Sequence, residues 1–287
     1  MAPSRGTALG HHFIQTYTDC PRKWSFENVF RIEPEFKEAH FIFGGAIHAG
    51  RERYYKGSRD PKDLLAGFKE AIEADKPEYQ DASKFELDLN RGLNMLIQWL
   101  KIHHEADLTR YEIREVEVEH EVPIGVNGLY MTIRPDLVMH DTTIGETYIF
   151  DAKTTSWSPT KPPYEVDLQD QATDYIGGMQ KLYPKWRVQG LIVDTLYNKG
   201  SVYQCLRSSP IYRTEYDLQQ REIEVEAKII EITQKMEAST TGEYPIRALF
   251  PRNGSVCARW GCPFVSICRS NVEVGDIPIG FKRKEET

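Results

Sequence analysis

The amino-acid sequence predicts a mixed α/β fold in which a central β-sheet is flanked by helices. Apolar residues recur at helical spacing through most of residues 13–110. Residues 111–210 instead carry the alternating patterns and short apolar runs that are typical of strands. A long charged helix is predicted over 214–238, and a cysteine-rich tail follows at 250–270. Because no repeat or linker interrupts the pattern, we expect a single domain over residues 1–287.

The predicted elements alternate in a simple order along the chain. We predict helices over 13–30, with an interruption at Pro21, and over 43–56, 61–76, 84–106 and 165–183. We predict strands over 112–122, 129–140, 147–155, 188–197 and 201–207. The last two pair through the turn Asn198-Lys199-Gly200. Residues 1–10 and 280–287 are expected to be flexible.

Composition excludes some classes of protein and leaves the function open. The chain has 40% hydrophobic and 28% charged residues, which is typical of a soluble globular protein. No segment approaches the ~18 apolar residues of a membrane span, and we expect a cytoplasmic protein. The net charge of −7 argues against a general coat for polyanions. A local basic channel in such a protein can still hold a nucleic acid.

A pair of carboxylates gives the strongest functional signal. If strands 129–140 and 147–155 form a hairpin centred between Thr143 and Ile144, Asp136 faces Asp151. Opposed like charges repel at ~5 Å, and a divalent cation with oxygen ligands would offset that repulsion. Lys153 lies on the same strand face as Asp151, and the carbonyl of Ala152 is a further candidate ligand. The alternative is a set of surface charges on an exposed hairpin, which the apolar neighbours disfavour.

Two predicted helices carry residues at spacings of one turn that suit the same site. Gly44, His48 and Glu52 share one helix face, and His48 offers an imidazole that widens the metal preference towards manganese. Glu52 is placed to orient His48 from behind. Gln171 and Tyr175 share a face of the later helix and are placed to contact a phosphate backbone or to align Lys153. The alternative for His48 is a partly buried histidine that is hydrogen-bonded to a carbonyl. The alternative for Gln171 and Tyr175 is an ordinary polar helix surface.

Four of the five cysteines form a candidate metal site. Cys257, Cys262 and Cys268 lie close together in the tail, and Cys20 would be the fourth ligand if the N-terminal helix packs against it. Four thiolates suit tetrahedral zinc or an iron–sulfur cluster, and a set without metal is the third possibility. Cys205 falls within a predicted strand, where a buried apolar role is expected.

These residues together resemble the PD-(D/E)XK nuclease superfamily, in particular its RecB-like branch and the CRISPR-associated exonucleases of that branch. The matching motifs occur in the family's order over residues 13–270. They are C-P-R-K-W at Cys20, G-x-x-x-H-x-x-x-E at Gly44, R-P-D at Arg134, D-A-K at Asp151 and Q-x-x-x-Y at Gln171. One departure is that Asp151 stands where many members have glutamate.

The resemblance implies a restriction-endonuclease-like core and a function for these motifs. It implies magnesium- or manganese-dependent hydrolysis of DNA, commonly as an exonuclease on single-stranded ends. It also implies a [4Fe–4S] cluster on Cys20, Cys257, Cys262 and Cys268. The first tail spacing is C-x4-C instead of the usual C-x2-C, so zinc stays as the alternative.

Basic residues near these motifs suggest how DNA would be held. Arg22, Arg51 and Arg259 are candidate phosphate contacts, and no sequence-reading motif is apparent. Endonuclease or flap cleavage stays open beside exonuclease activity. A non-catalytic DNA-end-binding subunit, acting beside a helicase or integrase, is the rival function. A zinc-stabilised interaction module is a third.

Overall fold

The computed structural model describes residues 10–79, 81–125, 128–155, 170–200, 202–242, 244–257, 262–270 and 272–284. In chain order, the helices are α1 (His11–Asp19), α2 (Pro21–Asn28), α3 (Ala39–Lys56), α4 (Pro61–Ala74), α5 (Ala82–Arg110), α6 (Asp170–Leu182), α7 (Glu215–Thr241), α8 (Ile246–Leu249), α9 (Gly254–Cys257) and α10 (Val265–Cys268). The strands are β1 (Ile32–Pro34), β2 (Tyr111–Val116), β3 (His120–Ile124), β4 (Leu129–Ile133), β5 (Leu137–Asp141), β6 (Glu146–Thr155), β7 (Val188–Lys199), β8 (Val202–Arg207) and β9 (Phe281–Arg283). None of the described helices combines the length and the apolar character that a membrane span requires.

The chain forms two compact units. Unit 1 comprises residues 1–36, 121–132 and 219–287, and unit 2 comprises residues 37–120 and 133–218. The expectation of a single domain stays a prediction, and each unit is described by itself below.

Unit 2 contains the predicted mixed sheet. Its five strands lie in the order β2-β5-β6-β7-β8, with β6 and β7 parallel and the other neighbours antiparallel. A large core cluster joins helix residues such as Ile47, Phe68 and Trp99 to sheet residues such as Phe150 and Leu196. Gly50 allows α3 and α4 to pack closely, because a Cβ at that position would lie 2.7 Å from the carbonyl oxygen of Leu64. The prediction of a mixed sheet flanked by helices is therefore confirmed.

The hairpin register agrees with the sequence prediction. Leu137 faces Phe150 and Val138 faces Ile149 across β5 and β6, which is the predicted register, and the pairing ends one position before Asp136 and Asp151. The second predicted hairpin is also present, since Lys199 pairs with Val202 and Gly200 adopts a left-handed φ of +63°. That conformation costs glycine little.

Two predicted strands are shorter than expected, and both breaks have local causes. The segment 112–122 divides into β2 and β3 because Glu117 adopts a φ of +51°, which ends the extended chain. The segment 129–140 divides into β4 and β5 around Arg134-Pro135-Asp136, where proline has no N–H for a ladder bond. The N-terminal part of the helix predicted over 165–183 lies outside the described residues, which resume at Asp170.

Unit 1 contains residues from both ends of the sequence. One apolar cluster contains Phe26, Ile32 and Phe264, and another contains Trp24 and Phe250. Phe281–Arg283, predicted to be part of a flexible tail, forms β9 and pairs with β1. The backbone of these three residues is paired and Phe281 packs on the first cluster, and the flexibility expected for 280–287 stays a prediction.

Candidate metal-binding active site

Three side chains from separate parts of unit 2 converge on one point. His48 comes from α3, Glu117 follows β2, and Asp136 precedes β5. His48 Nδ1 lies 3.5 Å from Glu117 Oε1 and 3.4 Å from Asp136 Oδ2. One ligand atom from each of the three lies within 4.8 Å of the other two. Two ligands on opposite sides of a magnesium ion at ~2.1 Å would lie ~4.2 Å apart, so this group has the spacing of a cation site.

Glu117 is held in a conformation that few residues with a side chain adopt. Its φ of +51° is left-handed, a state that costs ~1–2 kcal/mol for a non-glycine residue. Its N–H donates to the Asp136 carbonyl oxygen at 3.1 Å, and its carboxylate lies 3.4 Å from Arg134 Nε. These contacts fix the turn and direct the carboxylate at His48. Strained residues of this kind are concentrated at functional sites.

The space beside these ligands is small. A cavity of about 10 Å³ is lined by residues that include His48, Arg51, Glu117, Asp136 and Ala152. That volume accommodates about one water molecule or ion. A donor set of one imidazole and two carboxylates suits magnesium, and the imidazole extends the choice to manganese.

Asp136 and Asp151 are brought together as predicted, but they differ in their partners. Asp136 Oδ2 accepts a hydrogen bond from the Ala152 N–H at 2.7 Å, across the hairpin. Asp151 is 2% exposed, and its carboxylate lies 2.8 Å from Lys153 Nζ. Burial raises the pKa of both carboxyls. The charge of Glu117 raises the pKa of Asp136 further, and the charge of Asp136 raises that of Asp151, whereas His48 and Lys153 lower both. A cation would favour the ionised form of both.

Lys153, Gln171 and Tyr175 form a chain of hydrogen bonds. Lys153 Nζ donates to Gln171 Oε1 at 3.1 Å, and Gln171 Nε2 donates to the Tyr175 hydroxyl at 3.1 Å. The hydroxyl in turn donates to the Arg134 carbonyl oxygen at 3.1 Å. Of the two roles predicted for Gln171, the structure therefore favours the alignment of Lys153. Burial raises the pKa of Tyr175, so it stays a neutral donor.

Two residues expected near the metal have other contacts. Glu52 Oε1 lies 2.5 Å from Lys56 Nζ, one turn along α3, and the contact to His48 expected of it is made by Glu117 instead. Arg51 is 5% exposed, and its Nη2 donates to Asp194 Oδ2 at 2.8 Å. A buried, paired guanidinium is not available to a DNA strand, so the structure does not support the expected DNA contact of Arg51.

Asp194 anchors a buried ion network behind the catalytic strand. It lies on β7 opposite Ala152 of β6, and it also accepts from Arg207 Nε at 3.2 Å and from the Trp99 indole N–H. Arg207 pairs further with Asp107. Burial raises the pKa of Asp194, but the charges of Arg51 and Arg207 outweigh it and hold that pKa well below the ordinary range.

Sequence reasoning missed Glu117 and Asp194. Glu117 sat in the alternating run E-V-E-V-E and was indistinguishable from the exposed face of a strand. Asp194 interrupts the apolar run V-Q-G-L-I-V-D-T-L-Y, and a charged residue within an otherwise buried strand was the available signal.

The four predicted cysteine ligands all lie in unit 1. The sulfur of Cys20 accepts from the Asn253 N–H, and the thiol of Cys257 donates to the Asn253 carbonyl, both at 3.5 Å. Burial raises the pKa of the Cys262 and Cys268 thiols, and charges on Cys20 and Cys257 would raise both further. The structure therefore places these four thiols close enough for their charges to interact. Cys205 lies apart, in unit 2, and is buried as expected.

Arg22 and Arg259 were also predicted to contact phosphate, and the structure describes only Arg22. Arg22 is 7% exposed, and its guanidinium donates to the carbonyl oxygens of Phe250 and Arg247. Arg259 lies outside the described residues.

The fold and the site define a class of enzyme. A mixed sheet presents an acidic pair and a lysine on neighbouring strands, beside a histidine and a glutamate at cation spacing, which is the arrangement of a metal-dependent nuclease. Comparison with protein families gives the same class. The family model of the PD-(D/E)XK nuclease superfamily matches residues 10–269, and this chain belongs to that superfamily.

Comparisons with individual proteins do not narrow the function further. No curated protein matches the chain significantly. Among solved structures, the crystal structure of SSO0001 is similar to 67% of this chain and 84% of its own, with 15% sequence identity and a TM-score of 0.31.

Proposed function

We propose that this protein is a divalent-metal-dependent exonuclease that hydrolyses phosphodiester bonds at the ends of single-stranded DNA, as RecB-like members of the superfamily do. The observation that carries the proposal is the convergence of His48, Glu117 and Asp136 beside the Asp151–Lys153 pair. An acidic group of this kind, half-buried at Glu117 and Asp136 and buried at Asp151, is costly unless a cation or a reaction makes use of it.

Different residues of the site would hold the cation and contact the reacting atoms. His48, Glu117 and Asp136 would hold magnesium or manganese, with Asp151 and the Ala152 carbonyl as nearby further ligands. The cation would polarise the phosphodiester and promote ionisation of the attacking water. An oxygen–phosphorus bond then forms to water as the bond to the leaving nucleotide oxygen breaks, and the leaving oxygen takes up a proton.

Lys153 is equipped to contact the reacting atoms. Its ammonium has three N–H donors, of which Asp151 and Gln171 take two. The third is available to the attacking water or to a phosphate oxygen, and the Lys153 side chain is 36% exposed. Stabilisation of the developing charge by such a donor is typically worth 10²–10³ in rate.

The first test is cleavage of end-labelled linear single-stranded DNA with manganese, magnesium or chelator, by the wild type and by Asp136→Asn. We expect cleavage that requires the metal and is lost in the variant, and the position of the label gives the polarity. If the wild type binds this DNA but cuts it with neither metal, a non-catalytic end-binding function replaces this proposal.

The choice of exonuclease over endonuclease has its own test. A strict exonuclease leaves circular single-stranded DNA intact under conditions in which the linear form is degraded. Cutting of the circle at a comparable rate would assign endonuclease or flap activity instead. A helicase or an integrase-type protein is a proposed partner whether the chain cuts DNA or only binds its ends, and co-purification with such a protein is the test.

We further propose a [4Fe–4S] cluster on Cys20, Cys257, Cys262 and Cys268. The support is the proximity of the four thiols in unit 1, which suits a shared metal group, and zinc is the alternative. Iron analysis and the visible spectrum of the purified protein decide between iron and zinc.

A further inference from the structure

Unit 1 contains a basic cavity that the proposed chemistry does not use. Its volume is about 540 Å³, and it is lined by four arginines together with Pro251 and Cys268. The arginines are Arg22, Arg247, Arg252 and Arg269. Arg247, Arg252 and Arg269 are exposed, whereas Arg22 is buried. We call this feature the arginine cavity.

No carboxylate neutralises this group of charges. Among the residues that the structure describes, none of the four arginines forms an ion pair with aspartate or glutamate. Some arginines elsewhere meet a carboxylate, as Arg53, Arg110 and Arg207 do. Others, such as Arg59 and Arg283, donate to backbone carbonyls, but they do not lie together in one cavity. In a chain of net charge −7, acidic partners are abundant. Four arginines without one in a single cavity therefore indicate an anionic ligand.

Arg22 is the fixed part of the cavity. Its Nε donates to the Phe250 carbonyl and its Nη2 to the Arg247 carbonyl, each at 2.7 Å. These carbonyls orient the guanidinium but carry no charge, and the nearest opposing charges would be thiolates of Cys268 and Cys20. Arg247 donates to the Ser270 carbonyl through its Nη2. Arg22 is thus oriented before any ligand arrives, which reduces the entropy lost on binding.

We propose that the arginine cavity binds consecutive backbone phosphates of a DNA strand, an inference that rests on the proposed nuclease function. Each phosphodiester carries one negative charge, so three exposed guanidiniums, with the buried charge of Arg22 behind them, suit several phosphates of a strand better than one isolated ion. Guanidinium also matches phosphate oxygens through paired N–H donors. Phosphate contacts position a strand without reading its bases, which suits a nuclease without sequence preference.

The test compares DNA binding by two double variants in an Asp151→Ala background, which binds without cutting. The first is Arg252→Gln with Arg269→Gln, two exposed residues of the cavity. The control is Lys185→Gln with Arg283→Gln, two exposed cations elsewhere in the chain. Affinity for a labelled single strand is measured from low to high salt. We expect the cavity variant to lose about tenfold in affinity at physiological salt, and the salt slope to fall by about 1.4, at ~0.7 counterions per contact. The control should keep both values.

The competing explanation is that the arginines only offset the charge of the neighbouring thiolates, because Cys268 also lines the cavity. Iron content and visible absorption of the same variants separate the two roles. Loss of iron with unchanged DNA affinity and slope would overturn the proposal, and so would a cavity variant that matches the control in every readout.

The outcome is independent of the catalytic proposal. If the wild type cuts DNA and the cavity variant binds normally, the inference fails and the nuclease function stands. If the wild type cuts nothing but the cavity variant loses affinity and slope, the phosphate site stands and the protein is a DNA-binding subunit.

Discussion

At the scale of single residues, the strained backbone of Glu117 also determines where its carboxylate lies in the candidate metal site. Its left-handed φ ends β2, and this break places the carboxylate beside His48 and Asp136. An extended residue at 117 would continue the strand, and its side chain would follow the alternation of the sheet. The strain and the ligand are therefore consequences of one backbone angle.

Glycine and glutamine at position 117 should separate these two effects. Glu117→Gly removes the left-handed penalty of ~1–2 kcal/mol and the repulsion from Asp136, so the metal-free protein should become more stable to urea. Glu117→Gln keeps the strain. Both variants should bind manganese at least tenfold more weakly by calorimetry, because both lose a charged ligand. Wild-type affinity in either one would remove Glu117 from the metal site.

Lys153 offers a second prediction at this scale. Lys153→Met should lower the rate of DNA cleavage by ~10²–10³-fold, because the variant loses the donor that stabilises developing charge. Manganese affinity should change little, since no ligand atom is removed. Lys185→Met, an exposed lysine of the same unit, is the control and should keep the wild-type rate. An equal loss in both variants would indicate a general effect of surface charge.

At the scale of elements, the network around Asp194 joins α3, α5 and β8 to the central strand β7. Arg51, Trp99 and Arg207 come from those three elements, and all donate to the one carboxylate. β7 runs parallel to β6 with Asp194 opposite Ala152, which lies between the candidate catalytic residues Asp151 and Lys153. The network therefore supports the strand that carries Asp151 and Lys153.

Asp194→Asn should be strongly destabilising. Arg51 would lose its carboxylate while staying buried, and breaking such a pair costs ~3–5 kcal/mol. The free energy of unfolding in urea at pH 7 measures the loss. Glu105→Gln, at an exposed position on α5, should leave that free energy within ~0.5 kcal/mol.

The Asp194 carboxylate should also make the free energy of unfolding decrease at acidic pH. The pKa of Asp194 is lowered in the folded protein, so its contribution is present above the unfolded-state pKa of ~3.9. It is lost as the pH falls below ~4 towards the folded-state pKa, because the unfolded chain then binds the proton more readily. Urea midpoints between pH 7 and pH 2 should decline more steeply in the wild type than in Asp194→Asn. Parallel curves would contradict this assignment.

These elements also indicate what could be predicted from sequence. The turn at 142–145 was recognisable, so the register that aligns Asp136 with Asp151 followed from counting outward. Gln171 and Tyr175 were found by helical spacing, but their link to Lys153 needed the packing of α6. Glu117 could not be found, because local alternation does not reveal a left-handed backbone at a residue other than glycine. Arg51 was misjudged because its burial depends on Asp194, 143 positions away.

At the scale of the whole molecule, the metal ligands and the thiols belong to different compact units. His48, Glu117 and Asp136 lie in unit 2, whereas Cys20 and the three tail cysteines lie in unit 1. Cysteine variants should therefore affect the cluster without removing a ligand of the catalytic metal.

Cys20→Ser tests this separation. We expect it to lose most bound iron and visible absorption, because one of four thiolates is removed. Cys205→Ala is the matched control, since Cys205 is buried in unit 2 and donates to the Met95 carbonyl. It should retain its iron. Equal iron content in both variants would show that Cys20 is not a ligand.

The division into units also has a consequence for biosynthesis. Unit 1 begins before residue 37 and ends after residue 218, so unit 2 lies between its parts along the chain. A ribosome completes every residue of the catalytic unit before it reaches Cys257. The nuclease core can therefore fold first, while Cys20 waits as a lone thiol for partners that emerge last. Insertion of the proposed cluster would then follow the synthesis of Cys268, and a chain truncated after unit 2 would carry the candidate metal ligands without the arginine cavity.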